Sequence, residues 1–471
     1  MTTRKTSDGT RSDRRGAFGQ LRREVAGEVF LPGDPGWEEA RRGWNLAVDQ
    51  RPAAVVEARR VDDVQAAVRL AGSMGLRVAP QATGHGAGPL AALDDAILLK
   101  TSPMRGVSVR PEARVARVEA GALAVDLAEA AGAHGLAAAT GLAPTVGVTG
   151  LTLGGGVGWL SRSRGLACNN VRAVELVTPA GERVRVDADH VPELFWALRG
   201  GGGGCAIVTA LEVELHPVPE VFAGAVMWPA DHAADILDQY RAWSSDVPES
   251  LSSVFRYLAL PDVPGVPEPL RGRRVVAIVA AYLGGRQEGE RLLRPLRASR
   301  TAIVDTFAEM PPAGLVRVAG DPEAPMPAFG HGFMVRGLSA DLGDAVAGRI
   351  VDDALAPLSV LELRQLGGAL ARRPEGHGVL EALEAGFVVF ASGVAPDRAA
   401  RREIAGRLDE LRSALAPWRT ERELLNWGDL PVDPARAFEA GAFERLRRVH
   451  EAHDPDRLVL ASRPMAEARP A

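Results

Sequence analysis

The chain has 471 residues, 46% of them hydrophobic, with 55 lysines and arginines against 60 aspartates and glutamates and a formal net charge of −5. That length and apolar content suffice for two or three domains with a large buried core, and the balanced, interspersed charge offers no basic face for a nucleic acid. No apolar stretch reaches the ~20 residues of a membrane helix and the N-terminus lacks the apolar core of a secretory signal, so no membrane partner and a cytoplasmic location are expected.

Scarce residue types narrow the chemistry further. Lys5 and Lys100 are the only lysines, and neither follows a glycine-rich loop, which excludes a P-loop. Nine histidines include no H-E-x-x-H pair, and Cys168 and Cys205 lack ligand spacing, so no metal site is expected and both thiols read as free and buried. The basic start, MTTRKTSDGTRSDRR, reads as a frayed terminus.

In chain order, AAVVEAR (53–59) reads as a strand. The segment Val61 to Met74, apolar at Val64, Ala67, Val68 and Ala71, reads as a helix, and LRVAP (76–80) as a second strand. This β-α-β opening lacks the glycine-rich turn that a Rossmann nucleotide site needs after its first strand, and no acidic residue is placed for a ribose. Its glycines follow the second strand instead, in QATGHGAG (81–88), where His85 sits between two of them. AILLK (96–100), GVSVR (106–110) and RVARVEAG (114–121) read as strands, and Leu123 to Ala133 as a helix. VRAVELVTPAGERVRV (171–186) reads as a hairpin and CAIVTALEVELHPV (205–218) as a long strand. SRSRG (161–165) is no nucleophile elbow, which removes a serine hydrolase. The Pro-punctuated HPVPEVF (216–222) marks a boundary, with a first domain over 25–217, a second over 218–423, and a segment 424–471 returning to the first.

Three glycine-rich stretches, TGHGAG (83–88), TVGVTGLTLGGGVGW (145–159) and LRGGGGGCAIVT (198–209), lie within about 130 residues, each beside a strand. Such loops let backbone N–H groups converge on an anionic cofactor. Together with PTVGVTGLTLGGGVGWLSR, LFWALRGGGGG, QLGGA, LLNWGD and RLRRVHEAHDP in this order, the chain resembles the berberine-bridge-enzyme-like FAD-linked oxidases of the vanillyl-alcohol-oxidase superfamily. The resemblance implies an α+β fold: a two-part FAD-binding domain of the PCMH type, and an antiparallel-sheet substrate domain, flanked by helices, that covers the flavin. It implies FAD bonded to the imidazole of His85 at its 8α-methyl carbon. The implied cofactor-contacting set is Gly84, His85, Gly86, Gly121, Thr145, Val146, Gly147, Gly150, Gly154, Gly155, Gly156, Gly158, Gly203, Ile207, Val208 and Asn426. A neutral imidazole is a good nucleophile, and an 8α substituent raises the flavin potential.

The sequence departs from the family in three places, and a fourth position bears on the electron acceptor. Ala143 stands where many members carry a cysteine that ties the flavin a second time, so a single link is expected. Val146 stands where oxidase-type members carry a small residue, which implies an oxidase with dioxygen as a reaction partner. Gly204-Cys205-Ala206 replaces Asn-Phe-Gly. Trp427 replaces the tyrosine that serves as base, and an indole N–H donates but accepts no proton. The base is then sought among Tyr257, Tyr282 and Glu362, with Arg364 on the same strand face as Glu362, and His377 in a loop. Trp228, Phe255, Phe333, Phe387 and Trp427 are candidates to line a pocket. These readings converge on an oxidase of a small-molecule secondary metabolite that passes hydride to FAD. A flavin-dependent cyclase or isomerase and a FAD-retaining binding protein are the alternatives, and no oligomeric state follows from the sequence.

Overall fold

The computed structural model describes residues 5–90, 92–430 and 432–461. Strands β1 (Glu28–Phe30), β2 (Ala54–Glu57), β3 (Arg77–Gln81) and β4 (Ala96–Lys100) form a sheet in the order β1-β2-β4-β3, parallel between β2 and β4 and between β4 and β3. Ala54, Val55, Val56, Ile97, Leu98 and Leu99 are wholly buried, as expected of a parallel sheet covered on both faces. Helix Val61–Met74 covers one face with Val64, Ala67, Val68 and Ala71, the stripe visible in the sequence. The basic start is helical rather than frayed from Lys5 onward, in helix Lys5–Glu24, whose Phe18 and Leu21 pack on the same core; residues 1–4 lie outside the described residues.

A second sheet contains β5 (Val107–Arg110), β6 (Val115–Glu119), β7 (Leu136–Ala138), β8 (Val171–Val177), β9 (Arg183–Asp187) and β10 (Ile207–Pro217). Its main path runs β5-β6-β10-β8-β9, antiparallel throughout, and β7 pairs with the far end of β10. Helix Val148–Leu153 and the second and third glycine stretches lie between these strands, while the first follows β3.

The third sheet has eight antiparallel strands: β11 (Val221–Pro229), β12 (Leu251–Ala259), β13 (Arg274–Tyr282), β14 (Val304–Asp305), β15 (Ala308–Met310), β16 (Ala328–Val335), β17 (Val360–Gln365) and β18 (Phe387–Val394). Their order is β14-β11-β13-β12-β17-β18-β16, with β15 beside β11. Period-two alternation divides their side chains between two environments. One face packs on helices Ala233–Asp246, Ala340–Val351 and Arg398–Ala414 through Phe255, Tyr257, Ile278, Leu361, Leu363 and Val389. The other meets the first two sheets: Val254, Ala277 and Val279 cluster with Trp159 and Leu160, while Met334, Leu366 and Val388 join the core around Leu166 and Leu380. Arg162 spans this seam, its guanidinium donating to the carbonyls of Leu251 and Leu366. The arrangement is the mixed α+β architecture expected from the sequence, with an antiparallel-sheet unit covering the glycine-rich one.

After residue 423 the chain doubles back. Gly332 N–H donates to Trp427 O at 2.6 Å and Asp429 N–H donates to Gly330 O at 2.8 Å, so 427–429 runs as an antiparallel extension of edge strand β16. Helix Ala440–His453 then packs against helix Pro192–Leu198. Val78 N–H donates to Leu458 O and Leu460 N–H to Val78 O, laying the last described residues along β3, the edge of the first sheet. Among the described residues no helix is long and apolar enough to cross a membrane.

Candidate active site

β3 ends at Gln81, and the chain turns through Gly84 at φ +82°, a left-handed conformation that only glycine adopts without strain. The turn presents His85 half-buried. Its Nδ1 lies 2.8 Å from Thr83 Oγ1, and its ring stacks on Trp44 with centroids 4.1 Å apart and planes 14° from parallel. Burial pushes the imidazole pKa down to about 4, so the ring is neutral at ordinary pH. Beneath the turn, Lys100 Nζ donates to Arg42 O at 2.7 Å and Gln81 Oε1 at 2.9 Å, and Gln81 Nε2 donates on to Gln50 Oε1 at 2.8 Å. Burial lowers the Lys100 pKa to about 8, with Glu57 acting against the shift. Lys100 is thus a strut holding the His85 turn against residues 42–44.

The second glycine stretch forms a cradle around helix Val148–Leu153. Gly155 and Gly156 take φ values of +115° and +78° and pack against Leu380 and Ala167. A β-carbon on Gly154 would meet the amide of Asn426, whose Nδ2 donates to Leu151 O at 2.6 Å. Gly86, Gly150 and Gly203 face open space, with nothing nearer than the Leu153 side chain at 3.7 Å from a β-carbon on Gly203. Thr145 Oγ1 and Thr149 Oγ1 are buried and have no hydrogen-bond partner among the described residues. Open glycine backbone at Gly150 and unsatisfied buried hydroxyls at Thr145 and Thr149, close together in the chain, fit a large polar cofactor such as FAD. The Val146 carbonyl accepts from Ala124 N–H at 2.9 Å, and Gly147 bridges to Leu123.

Four members of the expected cofactor set are packed into the backbone framework. A β-carbon on Gly121 would lie 2.0 Å from Thr101 O, and its N–H is taken by Met104 O; on Gly158 it would lie 1.7 Å from Thr140 O, and that N–H is taken by Ser161 Oγ. Both glycines serve close backbone packing. Ile207 and Val208 are buried at the start of β10, paired with β8.

Opposite the cradle, one row of register partners crosses the third sheet: Arg256 on β12, Glu362 on β17, Phe390 on β18 and Gly332 on β16, ending at Trp427. Arg256 Nη2 lies 2.7 Å from Glu362 Oε1 and 2.6 Å from Asp321 Oδ1, while Arg364 Nη2 donates to Glu362 Oε2 at 2.7 Å. Burial alone would lower the Arg256 pKa, but Glu362 and Asp321 carry it upward. Burial would raise that of Asp321, yet Arg256 holds it lowered. Arg364 also lies over the Trp427 ring, 4.5 Å from its centroid, and Phe390 meets that ring edge-on at 6.1 Å. The cluster therefore places a carboxylate, two guanidinium groups and an indole on the sheet face that meets the cradle.

Two candidate bases lie elsewhere. Tyr257 and Tyr282 alternate to the helix-packed face, with Tyr257 1% exposed, and burial pushes its phenol above the usual value, away from what a base near neutral pH requires. Trp228, Phe255, Phe333 and Phe387 belong to that same core, so of the five proposed pocket aromatics Trp427 alone reaches the opposite face. His377 hydrogen-bonds through Nδ1 to Gly378 O in the loop that receives Arg199. Arg256 adjoins Tyr257, but the strand SSVFRYLAL has apolar residues on both phases, so its sequence does not show which side chain faces the site. Thr83 lay inside the quoted motif, but its pairing with the histidine needs the turn geometry. Trp44 had no signal, being forty-one residues from His85 in sequence.

A glycine cradle facing an antiparallel sheet that carries a charged cluster is an arrangement that can hold a flat anionic cofactor against a small-molecule substrate. Residues 52–187 match the FAD binding domain family model. (R)-6-hydroxynicotine oxidase of Paenarthrobacter nicotinovorans is 31% identical over 60% of this chain, the match spanning 61% of that protein's own length. The crystal structure of 6-hydroxy-D-nicotine oxidase from Arthrobacter nicotinovorans superposes with a TM-score of 0.79 at 26% identity, covering 92% of this chain and 96% of that one. The BBE-like 1 protein of Physcomitrella patens shares the fold with a TM-score of 0.81 at 20% identity, over 95% and 99% of the two chains. Residues 52–187 thus carry a FAD binding domain, and the chain shares its fold with these FAD-linked proteins.

Proposed function

We propose that this protein is an oxidase of a small-molecule secondary metabolite, with FAD held covalently by His85 alone and dioxygen as the final electron acceptor. Bound FAD would supply the two-electron acceptor, cradled by Gly86, Thr145, Gly147, Thr149, Gly150, Gly203 and Asn426. The observation that carries the reading is that the segment placing Asn426 in the glycine cradle also places Trp427 against Arg364, and hence against Glu362.

Glu362 takes the role that the missing tyrosine leaves open. Its carboxylate accepts the proton of a substrate hydroxyl or amine as hydride leaves the neighbouring carbon. Arg256 and Arg364 orient that carboxylate from both sides, and Trp427 and Phe390 supply an apolar floor that keeps water from the reacting carbon. Ala143 offers no second nucleophile, and the buried Cys168 and Cys205 thiols, pushed up to about 12 by burial, are poor ones. The name of the nicotine-oxidising relative supports a small polar heterocycle or alcohol as the first substrates to screen.

Anaerobic mixing with a substrate panel tests the reading. Bleaching of the flavin absorbance, reversed by air with stoichiometric hydrogen peroxide, is the expected result. Product formed without bleaching would replace the oxidase with a cyclase or isomerase, and tight binding without either would leave a FAD-retaining binding protein.

A further inference from the structure

We infer that the substrate of this site carries a carboxylate, and that Arg364, together with the indole N–H of Trp427, is the specificity-determining pair that receives it; the inference rests on the proposal above that this sheet face is turned to substrate. Four charged side chains form a series of alternating sign. Asp321 pairs with Arg256 at 2.6 Å, Arg256 with Glu362 at 2.7 Å, and Glu362 with Arg364 at 2.7 Å. The series begins on an anion and stops on a cation.

The two guanidinium groups are unequally provided for. Arg256 holds two carboxylates and also donates through Nη1 to Ala319 O. Glu362 is the sole ion-pair partner of Arg364 among the described residues, and that carboxylate is shared with Arg256. Arg364 Nε is buried without a hydrogen-bond partner among the described residues; the same holds for Arg256 Nε, but that group already meets three oxygens. Across the sheet the register partners of Arg364 are Val254 on β12 and Val388 on β18, so no second acid flanks it there. A largely buried guanidinium with a share of one carboxylate and apolar neighbours on either side is a place where a further anion is stabilised.

Trp427 adds a second donor. Its ring lies against Arg364 and Phe390 and its carbonyl accepts from Gly332 N–H, while its indole N–H has no hydrogen-bond partner among the described residues. Each oxygen of Glu362 already accepts from a guanidinium. The hydrogen-bonding capacity left open on this face is chiefly that of donors, one of them a cation, and it suits a carboxylate better than an ammonium or an apolar group. A carboxylate on Arg364 extends the alternation by one member. Since Arg364 also holds Glu362, a hydroxy or amino acid anchored there is bound beside the proposed base, and one residue governs both which molecules enter and where they sit.

The test is calorimetric titration of the flavin-containing protein with benzoate, phenylacetate, 3-phenylpropionate and nicotinate, each beside its primary amide, at pH 7.5, where the acids are ionised. At least one acid is expected to bind about tenfold or more tightly than its amide, the scale of a charge-assisted hydrogen bond. A panel in which no acid exceeds its amide overturns the inference. Arg364→Met is expected to erase the preference, weakening the acid roughly tenfold to a hundredfold and leaving the amide within about twofold, with Arg364→Lys regaining part of it. Equal losses for acid and amide would reduce Arg364 to structural support, and a preference surviving in Arg364→Met would put the anion on another cation; either overturns the assignment. Trp427→Phe keeps a ring beside Arg364 and removes the N–H, and should weaken the acid about fivefold. Unchanged affinity there would remove Trp427 from the pair. Titration reads binding without turnover, so a protein that prefers acids but whose flavin no substrate bleaches would lose the oxidase reading and keep this one. Bleaching by neutral substrates with no preference for acids would do the reverse.

Discussion

Asn426 fills the space that a side chain on Gly154 would occupy, and its amide is anchored there by a 2.6 Å bond to Leu151 O. Gly154→Ala is therefore expected to expel Asn426 and loosen 424–429, costing about 1–3 kcal/mol as overpacking does. Asn426→Ala should cost about 1 kcal/mol. Both variants should retain less FAD, and thermal melts beside the flavin-to-protein absorbance ratio would check this.

Glu362→Gln keeps the shape of the side chain but removes the proton acceptor. A fall in the anaerobic flavin-reduction rate of about 10²-fold or more is expected, at unchanged flavin content. An ordinary rate in that variant would take the base away from this carboxylate.

Tyr257→Phe and Tyr282→Phe should turn over substrate within about twofold of wild type. Tyr257→Phe should lose only about 1 kcal/mol of stability, since its hydroxyl meets Arg274 in the core rather than substrate. Steady-state kinetics would show whether either phenol takes part after all.

How far the sequence alone carried is clearest in these strands. The pair Glu362 and Arg364 falls on one face because two residues of the same strand need only the period. Which face meets the glycine cradle depends on neighbouring strands and helices, so the sequence does not separate Tyr257, on the helix-packed face, from Arg256, on the other. The glycine stretches were visible as motifs, but the same residue serves open backbone at Gly150 and backbone packing at Gly121, and tertiary contacts alone separate those uses. The Trp44 stack is a contact between distant turns that no local pattern records.

Acid should destabilise the protein through histidines buried in the neutral form. Burial pushes the pKa values of His216 and His450 down to about 4 from the ordinary 6.5. Above pH 6.5 neither state is protonated and this stability is fully present. Between 6.5 and about 4 the unfolded chain binds the protons that the folded one refuses. Each histidine then costs up to about 1.4 kcal/mol per pH unit, less where water reaches the ring. Urea midpoints of the apo-protein at pH 7.5 and 4.5 should show the loss, and His216→Gln should reduce it.

Ellman's reagent should find no thiol in the native protein and two per chain in guanidinium, since Cys168 and Cys205 are both buried and pushed up to about 12.

The last stretch of chain seals two sheets at once: 427–429 along β16 and 458–460 along β3. During synthesis, then, a nascent chain of some 420 residues would present two unsatisfied strand edges, each a template for pairing with a neighbour, and a cradle without its asparagine. On the role proposed for Asn426, flavin would be captured only once translation has passed this stretch, together with closure of the two sheet edges.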